Sequence, residues 1–162
     1  MTKLERIAEM EKQLAELKKQ VEEEKPVKRW RGEREQFFYI VEDTGSICKY
    51  RDFKNTVEEY LYSIGNYFKT EQEAKDHRRR LLIEQQIKDI ALRLNDGKEI
   101  DWKDTEQDKY FIGYDRYSEK FYIRGTVTWQ ESKIYCLSDK FLKTVLDEVG
   151  EEDLKFYYGV EK

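Results

Sequence analysis

Tyr67-Phe68-Lys69-Thr70-Glu71-Gln72-Glu73 decides the fold, because an aromatic, strand-like end runs straight into a hydroxyl residue and an acidic first helical turn. Tyr135-Cys136-Leu137-Ser138-Asp139 has the same order. Upstream of the first run, Phe37-Phe38-Tyr39-Ile40 precedes the turn residues Asp43-Thr44-Gly45-Ser46; upstream of the second, Tyr110-Phe111-Ile112 precedes Asp115-Arg116-Tyr117-Ser118. The chain therefore reads as two similar strand-strand-strand-helix units, 36–100 and 101–162, joined in one compact body over 36–162. That is an α+β fold with antiparallel sheet, each sheet crossed by a helix.

In the first unit Phe37, Tyr39 and Val41 alternate, turn at Asp43-Thr44-Gly45, and return through Ile47 and Tyr50, which predicts a hairpin. Residues 51–64 carry two signals. Tyr60, Tyr62 and Ile64 alternate as in a strand, whereas Val57-Glu58-Glu59 suits a helix, and the strand is the favoured reading. Thr70 with Glu73 forms a capping box, Asn95-Asp96-Gly97 closes the helix, and Ile83, Ile87, Ile90, Ala91 and Leu94 mark its core face. In the second unit Tyr110, Ile112 and Tyr114 alternate, and Phe121 to Trp129 reads as a long strand. Ser138 is then the expected cap of a helix through Phe141, Val145 and Val149, ended by Gly150, with 151–158 adding a further turn.

Ahead of the body lies residues 1–25, a polar segment with one apolar seam. Ile7, Met10, Leu14, Leu17 and Val21 recur at spacings of three and four, the period of a coiled coil, and Pro26 stops the helix. Such a helix needs a partner, and its expected role is homo-oligomerisation; packing on the body and docking into another protein's groove satisfy the same pattern. Residues 26–35 form a basic linker. Lys28, Arg29, Trp30, Arg31 and Arg34 there can fork onto an anion and stack on a base or a partner surface, or else Trp30 packs on the body while the arginines answer Glu22-Glu23-Glu24.

Composition narrows the function classes. The 162 residues are 38% hydrophobic, low for a packed core, but twelve Tyr, eight Phe and three Trp supply large buried areas per residue, so a folded protein is expected. Thirty-one basic against thirty-five acidic groups leave a net charge of −4, which argues against a general nucleic-acid binder. Cys48 and Cys136, without C-x-x-C spacing, read as free thiols. No apolar run is long enough for a membrane span and Met1-Thr2-Lys3-Leu4-Glu5 does not suit a signal peptide, so a cytoplasmic protein without a membrane partner is expected.

Catalytic sets are scarce. The eight glycines do not cluster into a phosphate loop, one His cannot build a triad or a zinc site, and the expectation is a protein that is not an enzyme, with no catalytic residue, no metal and no cofactor. Asp115 followed by Glu131-Ser132-Lys133 mimics the order by which some nucleases hold a divalent cation, an order that arises easily by chance in a chain 41% charged. His77-Arg78-Arg79-Arg80 reads chiefly as a solvated helix face. Tyr110, Tyr114, Tyr117, Tyr122, Tyr135, Tyr157 and Tyr158 either line a cleft for a nucleotide or peptide or, the favoured reading, serve as core.

Gly65-Asn66-Tyr67-Phe68-Lys69-Thr70-Glu71-Gln72-Glu73-Ala74, Ile134-Tyr135-Cys136-Leu137-Ser138 and the closing Val149 to Val160 resemble small, mostly uncharacterised proteins of phages and mobile elements of Gram-positive bacteria. The resemblance spans roughly residues 30–160. It implies a viral or prophage accessory protein. Joined to a small, charged chain without catalytic sets, that setting leads to the expectation of a partner that is a host protein or nucleoprotein complex, blocked stoichiometrically as anti-CRISPR and other anti-defence proteins do. A nucleotide or nucleic-acid binding module and, less favoured, a metal-dependent nuclease are the rival expectations.

Overall fold

A computed structural model describes residues 3–23, 29–128 and 133–160. In chain order the described elements are α1 (Lys3–Glu23), β1 (Phe37–Val41), β2 (Ile47–Arg51), α2 (Thr56–Ser63), α3 (Glu71–Leu94), β3 (Lys109–Asp115), β4 (Lys120–Thr126), α4 (Phe141–Glu148) and α5 (Glu151–Tyr158). The fold is mixed α+β, with five helices and two small antiparallel sheets, β1-β2 and β3-β4, among the described residues.

Both hairpins form where the alternation places them, with Phe37 opposite Arg51 and Lys109 opposite Thr126 at their open ends. The third strand of each predicted unit shrinks to one residue: Tyr39 bridges Phe68, and Tyr110 bridges Cys136. Phe68 and Cys136 are the residues matched between the two quoted runs. Each bridge holds the chain against a hairpin just ahead of a helix, α3 after Phe68 and α4 after Cys136.

Residues 51–64 are the main correction. Thr56–Ser63 is a helix, and the cause is its first turn: the Asn55 side chain accepts from the backbone of Val57 and Glu58, while the Glu58 carboxylate accepts from Asn55 N at 2.7 Å. A reciprocal cap outweighs the three-residue alternation of Tyr60, Tyr62 and Ile64. Asn55→Ala should cost about 1 kcal/mol of unfolding free energy in urea, the value of a single cap. Two smaller corrections follow. α4 starts at Phe141 with no side-chain cap, Ser138 instead closing a turn to Lys140 N, and residues 151–158 form a separate helix begun after Gly150 at φ 90°. β4 ends at Thr126, and Trp129 lies outside the described residues.

α3 is the spine. Its capping box at Thr70 and Glu73 forms as read, and 24 residues carry it about 36 Å past both sheets. At its N-terminal half Arg78 donates to Gly45 O in the β1-β2 turn at 2.9 Å, and Phe68 stacks on His77 with centroids 4.9 Å apart. At its C-terminal half Ile83, Ile87, Ile90 and Ala91 pack with Ile112, Cys136, Phe141, Val145, Leu154 and Phe156 in the larger core. The Arg78–Arg80 run is more than a solvated face: Arg79 pairs with Asp153 at 2.6 Å and lies 4.0 Å over Phe156. A smaller core of Phe38, Ile40 and Tyr67 is covered by Trp30, Leu61 and Tyr62.

Candidate binding surface

The segment after the linker is built into the smaller core. Trp30 packs 5.6 Å from Tyr67, which stacks on Phe38 at 4.2 Å. The Arg29 guanidinium lies 4.2 Å over the Tyr62 ring, and the Tyr62 hydroxyl donates back to Arg29 O at 2.8 Å. Arg31 reaches inward, donating from Nε to Asp52 at 3.3 Å and from Nη1 to Glu59 at 2.8 Å. Its buried Nη2 has no hydrogen-bond partner, and the rings of Tyr62 and Tyr67 lie 5.0 and 5.3 Å from the guanidinium carbon. Arg31 therefore answers Asp52 and Glu59, where the sequence offered Glu22 to Glu24.

Asp52 is the centre of this network and is fully buried. It accepts from the Tyr67 hydroxyl at 2.6 Å and Lys54 N at 2.7 Å, and Lys54 Nζ lies 3.3 Å away. Burial alone pushes its carboxyl up, but hydrogen bonds from Tyr67, Lys54 and Arg31 outweigh that and hold it down at about 2. Burial and Asp52 push the Tyr67 phenol up to about 12. For Arg31 burial works against the charge, yet Glu59 and Asp52 more than offset it and raise the guanidinium above its ordinary value.

Of the predicted basic set, Trp30 and Arg31 are thus tied into the body, Arg29 and Arg34 are exposed, and Lys28 lies outside the described residues. Beside them is a surface the sequence reading missed. Val57, Tyr60 and Ile64 are 65%, 62% and 54% exposed, and their spacing of three and four puts them on one stripe of α2 and its C-cap; Phe53, 51% exposed, lies in the extended lead-in. Read as a strand, Tyr60, Tyr62 and Ile64 share a face; in the helix Tyr62 turns inward to the core and Tyr60 with Ile64 turns out. The Asn55-x-x-Glu58 cap was the signal that would have found the stripe.

The other candidate sets disperse. Tyr117 is 98% exposed at the β3-β4 turn, Tyr135 is buried, and Tyr158 donates to Ile112 O at 2.7 Å. Tyr157 and Tyr158 line a cavity of about 260 Å³ with Ile87, Ile112 and Phe141, walled mainly by the larger core. The Asp115 carboxylate is occupied by its own turn, accepting from Tyr117 N, Ser118 N and the Ser118 hydroxyl, the last at 2.6 Å; Glu131 and Ser132 lie outside the described residues. Among the described residues no three His, Cys, Asp or Glu side chains gather as a metal site would require. No described helix is long and apolar enough to cross a membrane.

α1 forms over Lys3–Glu23, and Ile7, Met10, Leu14 and Leu17 on its seam are all more than half exposed; the Val21 side chain lies outside what is described. Comparison with family models, curated proteins and solved structures finds no match to this chain.

Proposed function

We propose that this chain is a noncatalytic binding protein of a phage or mobile element, acting stoichiometrically in the host cytoplasm on a defence complex of the anti-CRISPR or other anti-defence kind. The observation that carries the binding role is the exposed stripe Val57-Tyr60-Ile64 of α2, flanked by Arg29 stacked on Tyr62. Exposed apolar patches mark interaction sites, and tyrosine and arginine are the side chains enriched among interface hot spots. The partner that fits is a protein face with an apolar groove and an acidic rim to meet Arg29 and Arg34. Self-association through α1 raises valency, so modest contacts add by effective concentration. The phage setting rests on the resemblance of the quoted segments.

A phage-challenge assay tests the reading. Expression of the chain should restore plaque formation on a host carrying the matching defence system, and the tagged protein should retain one component of that system at fixed stoichiometry. Val57→Glu with Tyr60→Glu should abolish both without changing the far-ultraviolet spectrum. Turnover of a substrate by the purified protein, or retention of the component by the double variant, would overturn the reading.

A nucleotide or nucleic-acid binding role is the second reading, favoured by one feature of the first hairpin: Lys49 Nζ lies 4.3 Å and the Arg51 guanidinium 5.2 Å from the Phe37 ring, with Phe37 45% exposed. It requires affinity that falls steeply with salt and is lost in Phe37→Ala.

A further inference from the structure

We infer that α1 pairs with α1 of a second copy as a parallel, in-register, two-stranded coiled coil, which deepens the self-association proposed above and rests on it. Ile7, Met10, Leu14 and Leu17 are 53%, 63%, 54% and 57% exposed on an otherwise polar helix, so the single chain leaves the seam uncovered.

The residue types on that seam choose the pairing. With Ile7, Leu14 and Val21 at one core position of the heptad and Met10 and Leu17 at the other, β-branched side chains fall mainly where two parallel strands accept them and leucine falls at the alternate layer. The flanking charges agree. In a parallel register the residue before each first core position meets the residue five places on in the second copy, so Arg6 faces Glu11 twice per dimer and Gln13 faces Lys18. All four of these residues are exposed in the single chain and available to pair. Antiparallel pairing sets like heptad positions against each other, so Glu11 meets Glu11 or Lys18 according to register and Arg6 never meets Glu11.

The competing cover is the chain's own α2 stripe. α1 ends at Glu23 and Arg29 is anchored on Tyr62 of α2, so a fold-back is within reach of the linker. The α2 stripe, however, has Arg29 beside it and Glu59 already paired with Arg31, so a fold-back answers Arg6 less well than Glu11 of a second copy does.

Sedimentation equilibrium of the full chain should give a dimer that Leu14→Asp converts to a monomer. Arg6→Glu should weaken dimerisation roughly tenfold, and adding Glu11→Arg should restore it, because the swapped pair is again opposite in sign. Orientation is read by Leu14→Cys: in a redox buffer it should link to its own counterpart in the second copy, a contact that only parallel, in-register strands bring together. A monomer at every concentration up to about 1 mM, a trimer, or Cys linkage that fails at position 14 while Leu14→Cys with Met10→Cys links 14 to 10 would each overturn the inference. So would a disulfide within one chain between Leu14→Cys and Tyr60→Cys. A dimer that protects no phage sinks the proposed function and leaves the coil standing, whereas a monomer that still protects does the reverse.

Discussion

Asp52→Ala is expected to destabilise the protein by about 3–5 kcal/mol, because removing one member of a buried ionic network leaves the others desolvated and unpaired. Arg31 loses its interior partner, the Tyr67 hydroxyl loses its acceptor, and the turn that places Lys54 loses its anchor. Urea unfolding followed by tyrosine and tryptophan fluorescence measures the loss. The same carboxylate gives an acid signature. Its folded value of about 2 lies below the ordinary range, so the charged form favours the folded state. The stabilisation is complete above pH ~4, declines as pH falls toward ~2, and amounts to something on the order of 2 kcal/mol. In Asp52→Asn that dependence should vanish from the window between those pH values. An unchanged acid slope in the variant would show that Asp52 is not the group responsible.

Phe141→Ala should cost a similar 3–5 kcal/mol for a different reason, the cavity left when a fully buried ring is removed. Phe141 opens α4 and sits against the isoleucines of α3, Ile112 of β3 and Cys136. Phe141→Leu keeps most of the volume and should lose less than half as much. Because α3 packs on β1, β2, α4 and α5, and α4 packs in turn on β3 and β4, unfolding of either variant should be one transition, with fluorescence and circular dichroism coincident. Separate midpoints would mean that the two cores melt independently and that α3 does not couple them.

The elements legible in the sequence were those specified locally. The α3 caps and its isoleucine period fix a helix without help from the rest of the chain, and alternation around Asp43-Thr44-Gly45 and Asp115 fixes two hairpins. What escaped was set by distant partners. Asp52 reads as a loop acid until Arg31 and Tyr67, 21 and 15 residues away, are brought to it. Lys109 reads as the polar start of a strand, yet it is fully buried, its ammonium donating to Asp104 O at 2.8 Å and Gln107 O at 2.7 Å near the Trp102 ring. α2 was misread because the alternation of Tyr60, Tyr62 and Ile64 was weighed above a cap, and with it went the surface on which the binding proposal now rests.

The burial of Cys136 has a practical side. Its sulfur has no solvent exposure and lies 3.9 Å from Ala91 O, and burial raises the thiol further from its reactive form, whereas Cys48 is only half-buried on β2. An alkylating dye must wait for α3 to lift off the Cys136 segment before it can reach the deeper sulfur. The protein thus carries its own chemical clock: the rate at which Cys136 is consumed counts openings of the larger core, in a chain that needs no introduced label.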